Sequence, residues 1–302
     1  MAESERTRAR LLAMAPTADT FVGVDSDGCV FDTMEAKQKK CFHPLIIEHW
    51  HLEPIAQAVR ETAEFVALYS RWRGTNRFPA LKLVFELLAE RPDVREAGVA
   101  LPDTAALERF IGPGVALGNP ALAQLAETTG DPALVSLLTW SRAVNAAIAE
   151  KVGAVPPFAG AREALERIGR NSDAICVSQT PTEALEREWA AHGLRGCVRE
   201  IAGQELGSKA EHLAMAAGGK YDAEKILMIG DAFGDLEAAR ANGALFFPIN
   251  PGREESSWSR FCQEAYELFL TGRYAGGYES ELLREFEALL PTDPPWQRGS
   301  EP

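Results

Sequence analysis

The sequence predicts an α/β fold, a Rossmann-like parallel-sheet core domain with an inserted all-helical domain after its first strand. Three observations predict it. A short apolar run at 21–24 breaks at once into Asp25-Ser-Asp27-Gly28. Two further apolar runs, 174–177 and 226–229, each end in short polar or acidic residues and lead into helical patterns. Strands alternating with helices in this way imply parallel pairing. Between the first and second runs, residues 34–152 carry helical periodicity and no β pattern. The expected division is therefore 18–33 and 153–302 for the core, and 34–152 for the helical insertion.

Residues 1–19 read as a polar lead-in with one helical turn at 8–14. The first strand follows. Ligands of parallel sheets sit at the carboxyl ends of the strands, so Asp25 and Asp27 arrive where such proteins do chemistry. Two carboxylates there can divide the work of nucleophile and proton carrier. They can equally hold a hard cation such as Mg2+. Taken alone, the same residues also fit a polar turn or a fragment of a calcium loop. Gly28 lets the backbone turn sharply and approach a ligand.

Helices are expected at 34–50, 54–72, 80–90, 103–110 and 132–151; Leu81, Val84, Phe85 and Leu88 share one helical face. Within this block, residues 71–77 place Arg71, Arg73 and Arg77 around Gly74. They fit a substrate-contacting loop, with Arg71 and Arg77 as its ligands, or an ordinary helix end with Gly74 as its cap.

The prolines of 155–160 mark the return to the core. The strand at 174–177 ends at Ser178, with Gln179 beside it. Thr180, Pro181 and Glu183 then read as cap, first residue and capping box of a helix. Ser178 therefore lies at a strand end just before a helix N-terminus, a place suited to anions. A short strand near 198–201 precedes Ser208 and Glu211, a second capping box. That box puts Lys209 in the first helical turn, where a cation opposes the macrodipole. A local rule broken in this way points to function; taken alone, the residue also fits a surface lysine tolerated there at small cost. The strand at 226–229 ends in Gly230-Asp231, and Asp235 follows at the next loop-to-helix step. A last strand at 244–249, closing helices at 253–270 and 279–290, and a loose tail at 291–302 complete the chain. The closing helices pack either on the core or against a second copy in a homodimer.

Composition bounds the possibilities. Hydrophobic residues make up 46% of the 302, enough for packed cores. The formal net charge of −13 disfavours nucleic acid as a partner. No run of about 18 apolar residues marks a membrane span. The charged N-terminus lacks a secretory apolar segment, so a cytoplasmic protein is expected. Cys29, Cys41, Cys176, Cys197 and Cys262 show no paired spacing for zinc or disulfides.

Asp25-Ser-Asp27-Gly28, the strand-end Ser178, Lys209 and Gly230-Asp231-Ala-Phe-Gly-Asp235 together resemble the four motifs of the haloacid dehalogenase superfamily. The helical block after the first motif resembles that superfamily's cap, in the layout of its β-phosphoglucomutase and phosphoglycolate phosphatase branch. The resemblance implies that Asp25 is the nucleophile and Asp27 the acid and base. Ser178 and Lys209 would bind the transferring phosphoryl group. Mg2+ would be held by Asp25, Asp27 (through its backbone carbonyl), Asp231 and Asp235, unless Asp235 serves to orient Lys209. Gly28, Gln179, Arg71 and Arg77 are assigned to substrate contact. The expected function is a Mg2+-dependent phosphatase acting on a small phosphorylated metabolite. A phosphomutase and a non-catalytic binding protein on the same fold are the rivals. Dehalogenase chemistry is disfavoured because that branch lacks an equivalent of Asp27.

Overall fold

The computed structural model describes residues 3–112 and 117–297. By their contacts the residues group into two units, Met1–Thr33 with Ala154–Leu289, and Met34–Gly153 with Leu290–Pro302.

The first unit is built on a parallel sheet of five strands among the described residues: β1 (Phe21–Val24), β2 (Asp173–Val177), β3 (Glu200–Ala202), β4 (Ile226–Gly230) and β5 (Leu245–Pro248). Their order is β3-β2-β1-β4-β5. β1 pairs in parallel with β2 on one side, Phe21 opposite Asp173, and with β4 on the other, Phe21 opposite Ile226. This order makes β1 the central strand and puts the ends of β2 and β4 directly beside it. Every residue of β1, β2, β4 and β5 is buried, as expected for strands covered on both faces. In β1 a side chain at Gly23 would place its Cβ 2.6 Å from Leu213 Cδ2. The glycine thus lets the helix Lys209–Ala217 lie close against the central strand. Val22, Val24, Cys176, Leu165, Ile168, Trp189, Ile229 and Trp258 belong to one core.

The second unit is helical. Ala56–Leu68, Arg77–Glu90, Asn119–Thr129 and Pro132–Lys151 are its longer helices, with Phe65, Phe78, Phe85, Phe110 and Trp140 in its core. The expected helix at 34–50 is Thr33–Lys37, a wider π-helical segment Gln38–Phe42, and His43–His49. Two helices fall between the expected ones, Pro92–Ala97 and Asn119–Thr129. Each carries proline in its first turn and ends on a left-handed glycine, Gly98 and Gly130, a legible start-and-stop pair.

Both ends of the chain differ from expectation. Glu3–Ala13 is a helix of eleven residues rather than a lead-in with one turn. Leu11 is fully buried and Arg8 donates to the Leu206 carbonyl at 2.8 Å. Tertiary burial holds a helix too short to be stable by propensity alone. Through residue 297 the tail expected to be loose, and assigned to the core, groups with the helical unit. Arg71 donates its backbone N–H to the Pro291 carbonyl at 3.1 Å, and Arg91 lies 4.6 Å from the Trp296 ring centroid. Trp296 packs partly buried against the core of that unit, which helps to hold the segment. The remainder of that tail, 298–302, lies outside the described residues. No helix among the described residues is long and apolar enough to cross a membrane.

Candidate active site

Three loops and one helix end meet at the carboxyl edge of the sheet. β1 delivers Asp25, whose N–H still donates to Ile229 O on β4 at 2.9 Å, so it continues the strand ladder. The chain then turns within a few residues. Gly28, at φ 80°, takes a left-handed conformation that glycine favours. Its N–H donates to the Phe31 carbonyl at 2.8 Å. The turn leaves Asp27 two residues beyond Asp25 but off the strand.

β4 delivers Asp231. Asp235 folds back over the same strand end and accepts the N–H of Asp231 at 3.2 Å and of Ala232 at 3.1 Å. This close approach requires Gly230: a Cβ there would lie 2.3 Å from Asp235 Cγ. Lys209 opens the helix Lys209–Ala217, whose start is set by the expected box: Ser208 Oγ accepts from Glu211 N, and Ser208 N donates to Glu211 Oε2 at 2.7 Å. Lys209 Nζ reaches Asp235 Oδ1 at 2.6 Å and Asp25 Oδ1 at 3.0 Å. Those two carboxylates offset the unfavourable place of a cation at a helix start.

Asp25, Asp231 and Asp235 are all buried, and each offers an oxygen within 4.8 Å of the others. Three formal negative charges thus face one ammonium. Burial pushes the Asp25 carboxyl well above its ordinary value. Lys209 opposes the rise, while Asp235 and Asp231 add to it. Asp235 is raised for the same reasons, burial first. For Lys209, burial pulls downward, but Asp235 and Asp25 outweigh it and hold the ammonium above its usual value. A compact, hard-oxygen donor set with excess negative charge fits a divalent cation such as Mg2+. Asp25, Asp231 and Asp235 would hold it, and Asp235 also orients Lys209.

The metal contact expected of Asp27 is its backbone carbonyl, which leaves its carboxylate available for a separate role. Its carboxylate stands outside the three-carboxylate group. Thr33 Oγ1 donates to Oδ1, and Thr180 Oγ1 donates to Oδ2 at 2.6 Å. Here Thr180 departs from the sequence reading. It does not cap the following helix, which begins at Thr182 with Pro181 at the cap position and no side-chain cap bond. The hydroxyl is drawn to the ionisable Asp27 instead, because a bond to a charged acceptor is worth about twice a neutral one. Sequence reasoning missed both threonines, since nothing local distinguishes them.

Ser178 directly follows β2, buried, with its N–H donating to Ala202 O at 2.9 Å and its Oγ accepting from Thr180 N at 3.2 Å. Gln179 is exposed and donates its amide to the Gly207 carbonyl at 3.0 Å, tying the β2 loop to the one before Lys209. Arg71 and Arg77 belong to the helical unit. There the stretch 71–77 joins two helices. Gly74 is left-handed, Arg73 donates to the Leu68 carbonyl at 2.8 Å, and Asn76 caps the helix Arg77–Glu90. Arg77 donates to Ser141 O and Oγ, both at 3.1 Å, and to Asn145 Oδ1 at 2.7 Å. It braces two helices of that unit.

No protein-family model matches the chain, and no curated protein matches it. Solved structures do. A haloacid dehalogenase-like family hydrolase from Streptococcus pneumoniae is 16% identical at a TM-score of 0.41, covering 89% of this chain and 99% of its own. A haloacid dehalogenase-like hydrolase from Bacteroides fragilis is 15% identical at a TM-score of 0.46, covering 79% and 92%. A HAD-hydrolase from Bacillus subtilis, solved bound to magnesium, is 17% identical at a TM-score of 0.38, covering 76% and 86%. At such identities and TM-scores the weight falls on the site itself. The chain is similar, over most of its length, to solved structures of haloacid dehalogenase-like hydrolases.

Proposed function

We propose that the protein is a Mg2+-dependent phosphatase of the haloacid dehalogenase type, acting on a small phosphorylated metabolite. The observation that carries this reading is the buried Asp25 carboxylate, paired to Lys209 at 3.0 Å and grouped with Asp231 and Asp235. A nucleophile for phosphorus needs that company. Phosphoryl transfer is dominated by positioning and charge stabilisation, and a bare carboxylate would repel a dianionic phosphate.

In the first step Asp25 attacks phosphorus. The bond to the leaving oxygen breaks, and Asp27 gives that oxygen a proton. The product is an aspartyl phosphate on Asp25. In the second step Asp27 takes a proton from water, the water oxygen attacks phosphorus, and Asp25 is released as a carboxylate. Bound Mg2+ would supply charge neutralisation between Asp25 and the phosphoryl oxygens. Lys209 adds a fixed positive charge on the same side. Ser178 supplies a hydroxyl to the phosphoryl group. Thr33 and Thr180 hold both oxygens of Asp27, which fixes the direction of its proton transfer. Gly28 and Gln179, and Arg71 and Arg77 of the helical unit, enter as substrate-contact candidates, to be read from the KM of Ala variants at the side chains.

The test is a screen of phosphorylated metabolites for phosphate release with and without Mg2+, with Asp25→Asn as the blank. Mg2+-dependent release that vanishes in the variant supports the reading. Conversion of a sugar phosphate to its isomer without phosphate release would replace it with a phosphomutase. Wild-type release that persists in Asp25→Asn would overturn the nucleophile assignment.

A further inference from the structure

Between the two catalytic carboxylates sits a serine with no solvent exposure, Ser26. Side chains alternate in extended backbone, so Ser26 turns into the core. There its Oγ accepts the indole N–H of Trp189 at 3.0 Å. Trp189 is itself fully buried, on the helix Thr182–Ala191, and meets the Phe31 ring edge-on at 6.1 Å. It therefore grips the turn at both ends. The Ser26 carbonyl accepts the N–H groups of Val30 at 2.9 Å and Phe31 at 3.1 Å, closing the turn on itself. A second buried tryptophan, Trp258 on the helix Glu254–Arg260, donates its indole N–H to the Cys29 carbonyl at 2.9 Å.

We propose that Trp189 and Trp258 are positioning residues for the reaction described above: their indole N–H groups lock the turn 26–31 and so hold the aim of Asp25 and Asp27. The inference rests on the phosphatase reading. The backbone torsions at Ser26 carry both carboxylates, so a small rotation there misdirects nucleophile and acid together. One buried donor holds the Ser26 side chain and the other holds the Cys29 carbonyl farther along the same turn. Each comes from a helix on which its tryptophan is tightly packed, so the turn inherits the rigidity of the core. Neither tryptophan touches the reacting atoms.

The test compares Ser26→Ala, Trp189→Phe, their double variant and Trp258→Phe with wild type. Ser26→Ala deletes one atom, so it reports even if a tryptophan variant fails to fold. The control is Tyr266→Phe, which removes an equally buried bond, from Tyr266 OH to Ser172 Oγ at 2.8 Å, before the start of β2. Misplacement of reacting groups is expected to lower kcat about tenfold or more while KM stays within about twofold. The double variant is expected to be no worse than the poorer single, since both remove one bond. Affinity for Mg2+ alone, read by calorimetry, is expected to weaken in the same variants because Asp25 loses its aim. Tyr266→Phe is expected to lower Tm and leave kcat unchanged. Ser26→Ala and Trp189→Phe with wild-type kcat and wild-type Mg2+ affinity would overturn the proposal. So would losses that multiply in the double variant. A wild type that releases no phosphate removes the reaction first, and the inference falls with it.

Discussion

The two edges of the one sheet each hold a buried aspartate centre, and they are built in opposite ways. At the amino edge, Asp173 opens β2 and is 2% exposed. It accepts from Thr17 N at 2.7 Å, Thr17 Oγ1 at 2.5 Å, Ala18 N at 3.0 Å and Tyr221 OH at 2.6 Å, and Arg199 lies at 2.6 Å. Burial would raise this carboxyl, but the donors of Thr17, Tyr221 and Ala18 overcome it and hold Asp173 well below its usual value. At the carboxyl edge, Asp25 shares its surroundings with two more carboxylates and one lysine, and burial keeps it raised. One aspartate is saturated with donors and ties the N-terminal segment to the sheet. The other is short of positive charge, and that shortage is what a cation can fill. Burial alone does not separate these two kinds of carboxylate. The balance of donors does.

The largest expected effect lies at the carboxyl edge. Asp25→Asn removes the proposed nucleophile and is expected to cut turnover on the order of 10⁴-fold or more, with Tm unchanged or higher because a buried charge is gone. Phosphate release and thermal melting measure the two together; a large loss of Tm would erase the contrast with Asp173.

Asp173→Asn is expected to do the reverse. Breaking a buried, fully donated carboxylate costs about 3 kcal/mol, read by urea unfolding, while kcat per folded molecule stays put. The pH dependence sharpens this. Because the folded value is depressed, the stability from Asp173 is complete above the ordinary carboxylate value of about 4 and is lost as pH falls through that value toward the folded one. Wild-type Tm should fall over this acid range, and Asp173→Asn should flatten that part of the fall.

Cation binding comes next in size. Mg2+ at about 100 times its Kd should stabilise the fold by about 2.7 kcal/mol, seen as a rise in Tm that chelator reverses. Asp231→Asn should abolish the rise, whereas Asp173→Asn should leave it intact. An equal response in both variants would mean that the cation does not choose the donor-poor edge.

The smallest effect concerns Asp27. Thr180→Val removes one of its two hydroxyl donors and is expected to lower kcat about tenfold with little change in KM. Unchanged kcat would show that Thr180 is not needed to hold it.

Much of this arrangement was legible in the chain because it is local. Apolar runs ending in Asp25, Ser178 and Asp231 announce strand ends in a parallel sheet, and strand-end chemistry follows from that. Ser208 and Glu211 fix the start of a helix within four residues, and with it the place of Lys209. Pro92 with Gly98, and Asn119-Pro120 with Gly130, were equally local signals for the two helices not expected.

The rest depends on partners far apart in sequence. Thr180 and Asp27 are 153 residues apart, and only the adjacency of β1 and β2 brings them together; from sequence, Thr180 is a helix cap. Asp173 looks like any polar residue before a strand until Thr17, Arg199 and Tyr221 converge on it. The Glu3–Ala13 helix and the Trp296 segment owe their order to surfaces elsewhere in the fold. The sequence by itself determined which residues end the strands, because backbone geometry and burial act over a few neighbours. Tertiary structure alone decided which of those residues are saturated with donors and which are left for ligands, because that balance is summed over every element packed around the sheet.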